Sequence, residues 1–285
     1  MKASQIETPS KLITKASGRK EPFDSTKLLR SLKEAAASDE VAKKIVAEIT
    51  QSLQSGSSTQ SIYRKAFRLL KTYEKNSAPK YNLKRAIMEL GPSGYPFEHL
   101  MGEIFERQGY TIKVGILLKG VCVTHEIDVY AEKADEIILM ECKFHNLSGN
   151  KNDVKIPLYI QARFQDVESV LRKNPAHSPK KITYWVATNT RFTKDAVDYG
   201  GCAGMKLIGW DYPQKRSLRD LIYETSLHPL TCLTSVSAKA KKSLLEKGLI
   251  TCADILKEPF VLADAGYSEV KRKRVEEEIK RLFRP

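Results

Sequence analysis

Long apolar runs are missing from this 285-residue chain. Nothing approaches the ~20 consecutive apolar residues that a membrane helix needs, and the opening MKASQIETPSK lacks the apolar core of a secretory signal. No membrane association is therefore expected. Cysteine is scarce. The five that occur (Cys122, Cys142, Cys202, Cys232 and Cys252) are odd in number, scattered, and form no CxxC pair. That argues against a disulfide framework or a zinc module and for a reducing, cytoplasmic setting. No pair among His99, His125, His145, His177 and His228 has the i, i+4 spacing of a helical zinc site. GxxxxGK[ST] is absent too, so a P-loop is not the route to any nucleotide.

What is present is a basic chain of ordinary apolar content, 41%, with a net charge of +14. The charge is unevenly spread. Residues 1–90 hold 18 Lys/Arg against 9 Asp/Glu, residues 91–230 hold 18 against 17, and residues 231–285 hold 12 against 8. Basic ends around a nearly neutral middle fit ends that meet phosphates and a middle that carries an acid cluster. Solvated lysines on a soluble basic protein fit equally well.

Two clusters of turn-formers, GPSGYP (91–96) and SLHPLT (226–231), divide the chain into three expected units, 1–91, 95–227 and 230–285. The first reads as a short strand (KLITKAS), a turn at Gly18, and helices, the first capped by Asp24 with Leu28, Leu29 and Leu32 on its apolar stripe. NLKRAIMEL closes that unit. The middle unit opens on FEHLMGEIFERQGY, whose Phe97, Leu100, Met101, Ile104 and Phe105 recur at helical spacing. Its order reads α-β-β-β-α-β-α-β, an α/β fold with a mixed sheet. The third unit is helical.

The stretch HEIDVYAEKADEIILMECK (125–143) carries the chemistry. Its two flanks have strand texture, and residues 132–136 are polar enough for the loop between them. A hairpin centred between Ala134 and Asp135 sets Asp128 opposite Glu141, with Cβ atoms ~5 Å apart, and strand alternation brings Lys143 to the same face. Two carboxylates suit Mg²⁺ or Mn²⁺, hard cations that seek oxygen. A cation held by Asp128 and Glu141 lowers the pKa of bound water and polarises a phosphate, while Lys143 offsets developing charge. Glu98, on the preceding helix, is the candidate third acid. The opposing view is that Glu-x-Lys is common on exposed strands and matches by chance. The apolar run IILM before Glu141, and the apolar strand around Asp128, favour the catalytic view.

These residues, Glu98, EID ending at Asp128, and Glu141-Cys142-Lys143, resemble the PD-(D/E)xK nuclease superfamily, in its Mrr-like restriction endonuclease branch. The resemblance extends over about residues 95–225 and includes WVATNTRFTKDAVDYGGCAGMKLIGWD. Ile127 stands where the superfamily's proline would be. What the resemblance implies is a mixed-sheet nuclease core, a Mg²⁺-dependent phosphodiesterase acting on DNA, catalysis by Glu98, Asp128, Glu141 and Lys143, and metal binding by the three acids. Gln161 occupies a place where the branch often has a polar active-site residue; an exposed helix glutamine is the alternative. His145 is a candidate phosphate contact, with a surface-loop histidine as the simpler account.

Lys15, Arg19, Lys20 and Lys27 gather around the Gly18 turn and a helix start, where free N–H groups and the dipole suit phosphate. ITKASGRKEPFDSTKLLRSL, STQSIY and YNLKRAI together resemble the ATP-cone, the regulatory nucleotide-binding domain of ribonucleotide reductases. The resemblance implies ATP or dATP as a regulatory ligand, with Lys15 and Lys27 on the triphosphate, Arg19 beside them, Phe23 near the nucleotide and Thr59 in contact with it. A basic helical domain binding DNA directly is the alternative. A homo-oligomer whose assembly or activity responds to nucleotide is expected.

LTSVSAKAKKSLLEKGLITCADIL resembles a helix-hairpin-helix, with Val236-Ser237-Ala238 in place of its Gly-h-Gly turn. The Lys271–Arg274 run offers a sequence-independent DNA contact, or a solvated face answered by Glu276–Glu278. The combined expectation is a metal-dependent DNA endonuclease of the restriction or genome-defence kind, regulated by ATP or dATP. A nucleotide-sensing DNA-binding regulator with an inactive nuclease fold, or a repair nuclease, are the alternatives.

Overall fold

The structure is a computed structural model that describes residues 11–283 apart from 16–17, 36, 75–76, 148 and 259. It divides into two compact units, Met1–Asn82 and Leu83–Pro285.

In the first unit, β1 (Leu12–Thr14) pairs antiparallel with β2 (Lys20–Pro22). Gly18, at φ +80°, takes the left-handed turn conformation that other residues resist. The strand expected over KLITKAS is thus shorter, and its residues 16–17 lie outside the described residues. Helices α1 (Ser25–Glu34), α2 (Asp39–Ser52), α3 (Thr59–Tyr73) and α4 (Ser77–Tyr81) follow. Asp24 caps α1 as expected: its Oδ1 accepts from the Thr26 amide at 2.9 Å and the Lys27 amide at 3.3 Å. Ser38 and Ser58 cap α2 and α3. Leu28 and Leu32 pack with Ile45, Ile49, Ile62 and Leu70, while Leu29 is only partly buried. The entry to α3 is strapped to β1, because the Gly56 amide donates to Leu12 O at 2.8 Å and the Thr14 amide to Ser57 O at 2.9 Å.

The second unit opens with α5 (Leu83–Met88) and α6 (Tyr95–Glu106). Then come β3 (Thr111–Lys119), β4 (Thr124–Glu132), β5 (Glu136–Lys143), β6 (Lys151–Asn152), α7 (Lys155–Leu171), β7 (Lys181–Thr188), β8 (Arg191–Phe192), α8 (Lys194–Cys202) and β9 (Lys206–Ile208). The main sheet runs β3-β4-β5-β7-β9, antiparallel across its first two pairings and parallel across the rest. This is the expected mixed-sheet α/β arrangement. The short parallel pair of β6 and β8 was not foreseen; two-residue strands leave no periodic signal.

Apolar residues alternate along β5. Ile138, Met140 and Cys142 pack with α6, through Leu100, Met101 and Ile104, and Ile137 and Leu139 pack with α7, through Ile160, Phe164 and Val167. Glu141 and Lys143 continue the α7-facing series.

Helix α5 belongs to this second core. Leu83, Ala86, Ile87 and Leu90 are buried with α6, so the segment expected to close the first unit packs with the second. The same core takes in α9 (Leu218–Thr225), α10 (Ala238–Glu246), α11 (Cys252–Lys257), α12 (Val261–Asp264) and α13 (Glu269–Leu282) through Leu221, Leu244, Ile255, Leu262, Val275 and Ile279. Thr231 at SLHPLT donates to Ala86 O at 2.7 Å, and packing is continuous through that turn. Among the described residues no helix is long and apolar enough to cross a membrane.

Candidate active site

The β4–β5 ladder has the register Val129↔Met140, Tyr130↔Leu139 and Glu132↔Ile137. That count sets Asp128 opposite Glu141, the register expected from the hairpin. The ladder stops at Val129. Beyond it the Cys142 amide is bound by the Asp128 carboxylate, at 2.7 Å from Oδ2, so Asp128 stands in the gap where the two strands part.

The cause of the parting lies on β3. Ile112, Val129 and Ala131 pack on the α6 side, whereas Ile116, Leu118 and Ile127, of the same parity, pack on the α7 side. The hairpin therefore changes face between the pairs Val114↔Val129 and Ile116↔Ile127. Gly115, beside Asp128 in that count, has φ +63°. A glycine supplies this mid-strand twist without Cβ strain. The tip of the hairpin is pinned to α7 by Asp166, whose carboxylate accepts from the Cys122 and Val123 amides at 2.8 and 3.3 Å and contacts His125 Nε2 at 2.9 Å.

Glu141 is nearly buried, 5% exposed, and both its oxygens are engaged. Lys143 Nζ donates to Oε1 at 2.5 Å and Arg163 Nη1, from α7, to Oε2 at 2.9 Å. The other Arg163 nitrogen donates to Glu126 O at 2.5 Å. Lys143 Nζ also stands 5.6 Å from the centre of the Tyr159 ring. Glu98, at the start of α6, folds its carboxylate against Gly94, where an added Cβ would lie 3.0 Å from Oε1.

The electrostatics show one cluster. Burial first, then Glu141 and Glu98, push the Asp128 carboxyl up to about 7, against the Cys142 amide and Lys143, which lower it. Burial, Glu126 and Glu141 also raise Glu98. Burial disfavours the Lys143 ammonium, but its bonds with Glu141 and Tyr159 outweigh this and raise its pKa. The structure thus brings Glu98, Asp128, Glu141 and Lys143 together. It adds Glu126 and Arg163, which sequence reasoning missed. Glu126 shares a strand with Asp128 two residues away, a spacing that was available. Arg163 lies 22 residues beyond Glu141, on a helix whose rotation no local pattern specifies.

Of these six groups four are acids and two are bases, leaving two surplus negative charges when all are ionised. Carboxylate oxygens in surplus are the donor chemistry of Mg²⁺ or Mn²⁺. The groups fit such a cation in kind. Among the described residues, no three His, Cys, Asp or Glu side chains are gathered closely enough to hold one as they stand. Glu141 is turned to its two basic partners.

Other candidates fall to structural roles. Tyr199 donates to Gln161 Oε1, tying α7 to α8. His145 Nε2 meets Asn152 Oδ1 at 3.0 Å, and the Asn152 amide donates to Thr188 Oγ1 at 2.9 Å. Asn152 Oδ1 must accept there, so His145 carries its proton on Nε2 and braces the loop after β5.

In the first unit Lys15 Nζ pairs with Glu21 Oε2 at 2.7 Å, and Lys27 Nζ lies 3.6 Å from Asp24 Oδ2. The Lys15 bond, with help from Lys27 and Arg19, holds the Glu21 carboxyl below its usual range. All three cations therefore act on one carboxylate, and Lys15 touches it. Phe23 packs partly buried on the helical core. Thr59 opens α3 next to Ser58, which bridges to Thr14.

At the C-terminal turn the Thr234 and Ser235 amides donate to Glu278 at 2.6 and 2.9 Å. Within Val236-Ser237-Ala238 the Ser237 amide donates to the Tyr267 hydroxyl at 2.8 Å. Glu278 does not answer Lys271–Arg274; Lys273 pairs with Glu269 instead, at 2.8 Å.

A small basic hairpin-and-helix unit precedes an α/β unit with a mixed sheet, which makes this a two-part protein. The ATP cone domain family matches residues 11–88, which marks the first unit as nucleotide-binding. The family described as AF1548-like, C-terminal, matches residues 228–283. An uncharacterized protein of Archaeoglobus fulgidus is 35% identical over 184 residues, covering 64% of this chain and 99% of that protein. The crystal structure of the protein of unknown function AF1548 has 33% identity and a TM-score of 0.53, covering 67% of this chain and 98% of its own. The chain belongs to the AF1548-like family. The MspJI restriction endonuclease in complex with a 27-mer oligonucleotide is similar at 11% identity and a TM-score of 0.33, over 74% of this chain and 44% of its own. That likeness is too remote to carry weight.

Proposed function

We propose that residues 83–285 hydrolyse DNA phosphodiester bonds with Mg²⁺ or Mn²⁺, as an endonuclease of the restriction or genome-defence kind, and that ATP or dATP on the first unit regulates it. Asp128, Glu141 and Glu98 would hold the cation, which supplies an activated water and a polarised phosphate when bound. Lys143 offsets charge on the phosphate in the transition state. Lys15, Arg19 and Lys27 receive the triphosphate, with Phe23 and Thr59 beside the nucleotide. The observation that supports this reading is the convergence, where β4 and β5 part, of three acids and a lysine, with Asp128 driven up to about 7 by burial and like charge.

Supercoiled plasmid tests it. The protein should nick plasmid with Mg²⁺ or Mn²⁺ and not with EDTA, and Asp128→Ala and Lys143→Ala should each lose about 100-fold or more of the rate. Equal nicking by all three proteins would point to contamination and sink the reading. One observation favours an inactive, nucleotide-sensing regulator instead: Lys143 and Arg163 already neutralise Glu141, one on each oxygen. On that reading plasmid stays intact under every condition.

A further inference from the structure

Each oxygen of the nearly buried Glu141 already carries a charged base, so an entering cation competes with Lys143 and Arg163 for that carboxylate. Lys143 rides on the same strand, is bonded to Glu141, and stands 5.6 Å from the centre of the Tyr159 ring. Arg163 reaches across from α7 on a long side chain, 25% exposed, and its second bond goes to a neutral carbonyl, that of Glu126. Lys143 is no less exposed, at 27%, but it shares the acid's own strand, so Arg163 is the base held from a separate element. A guanidinium expelled by an incoming cation keeps a planar fork of donors that matches phosphate oxygens two at a time.

We propose that Arg163 holds the cation's place on Glu141 and becomes a phosphate clamp once the cation arrives. This rests on the nuclease reading above. It makes Arg163 a DNA-contacting residue of the loaded site and gives the empty site a resident counter-ion. An acid cluster without a metal then stays folded, because the guanidinium neutralises the nearly buried Glu141.

The test uses the full chain and Mn²⁺ alone, with free Mn²⁺ followed by electron paramagnetic resonance. Arg163→Met should bind Mn²⁺ about tenfold or more tightly than the native protein, the change expected for one charge-assisted bond no longer broken. Arg163→Gln, which keeps a donor for Glu126 O, should behave alike and guards against a folding defect in the methionine variant. Asp128→Asn should abolish binding. In Ca²⁺, anisotropy of a labelled duplex should show Arg163→Met binding DNA about fivefold or more weakly.

Unchanged or weaker Mn²⁺ binding by both Arg163 variants would overturn the place-holding role and leave the nuclease reading standing. Tighter Mn²⁺ with unchanged DNA affinity would overturn the clamp. Failure of native and variant proteins alike to bind Mn²⁺ would overturn the nuclease reading itself.

Discussion

Asp128 accepts the Cys142 amide in the gap between two strands and faces two further acids, so its ionisation is opposed by burial and by like charge. Its folded-state pKa of about 7 lies above the usual 3.8. The folded protein therefore binds more protons than the unfolded chain between those values. The stabilising contribution is fully present below about pH 4 and is lost as pH rises through about 7. Asp128→Asn should then be close to neutral at pH 4 and stabilising at pH 8. An effect of about 1 kcal/mol or more would raise Tm by roughly 2–4 °C or more in a unit of this size. Melting curves of both proteins in EDTA at the two pH values check this, and equal melting at pH 8 would contradict it. Glu103, pushed up to about 7 by burial and by Asp254, adds a slope of the same sign. The comparison of Asp128→Asn with the native protein removes that background.

At the scale of the element, the hairpin of β3 and β4 positions the acids, and α7 holds the hairpin. A Cβ on Gly120 would lie 2.0 Å from Asp166 Oδ2, so Gly120→Ala must displace the carboxylate that binds the Cys122 and Val123 amides. Overpacking of this kind costs on the order of 1–3 kcal/mol, and thermal melting reads it. Hydrogen exchange at Cys122 and Val123 should quicken in the same variant; unchanged protection there would show that the pin is not Asp166. Much of this element was legible beforehand. Polar 132–136 between two strand-like runs set the turn, and the turn set the register of Asp128 against Glu141. The change of face at Gly115 was not legible, because it depends on where α7 draws Ile116 and Ile127. Arg163 was hidden for the same reason. Helix α5 lies within the ATP cone match, as expected, while Leu83, Ala86 and Ile87 are buried in one core with Leu100 and Leu230, far along the chain.

At the scale of the whole molecule, a nucleotide-binding unit and a candidate nuclease unit share one chain, and regulation requires nucleotide to bind two states of the protein unequally. Lys15→Ala and Lys27→Ala should each weaken ATP or dATP binding about tenfold by calorimetry, the loss of one charge-assisted phosphate bond. Full affinity in both variants would move the triphosphate elsewhere. Nicking rate and assembly state should both respond to nucleotide in the native protein and lose that response in Lys15→Ala. All of this matters only if the acids on β4 and β5 hold a metal. The direct measurement is anomalous diffraction at the manganese edge from crystals of the protein soaked in Mn²⁺. The account predicts a peak at about 2.0–2.3 Å from carboxylate oxygens of Asp128 and Glu141, with Arg163 moved off Glu141. Density without a peak there, and Arg163 still paired to Glu141 at full Mn²⁺ loading, would contradict it.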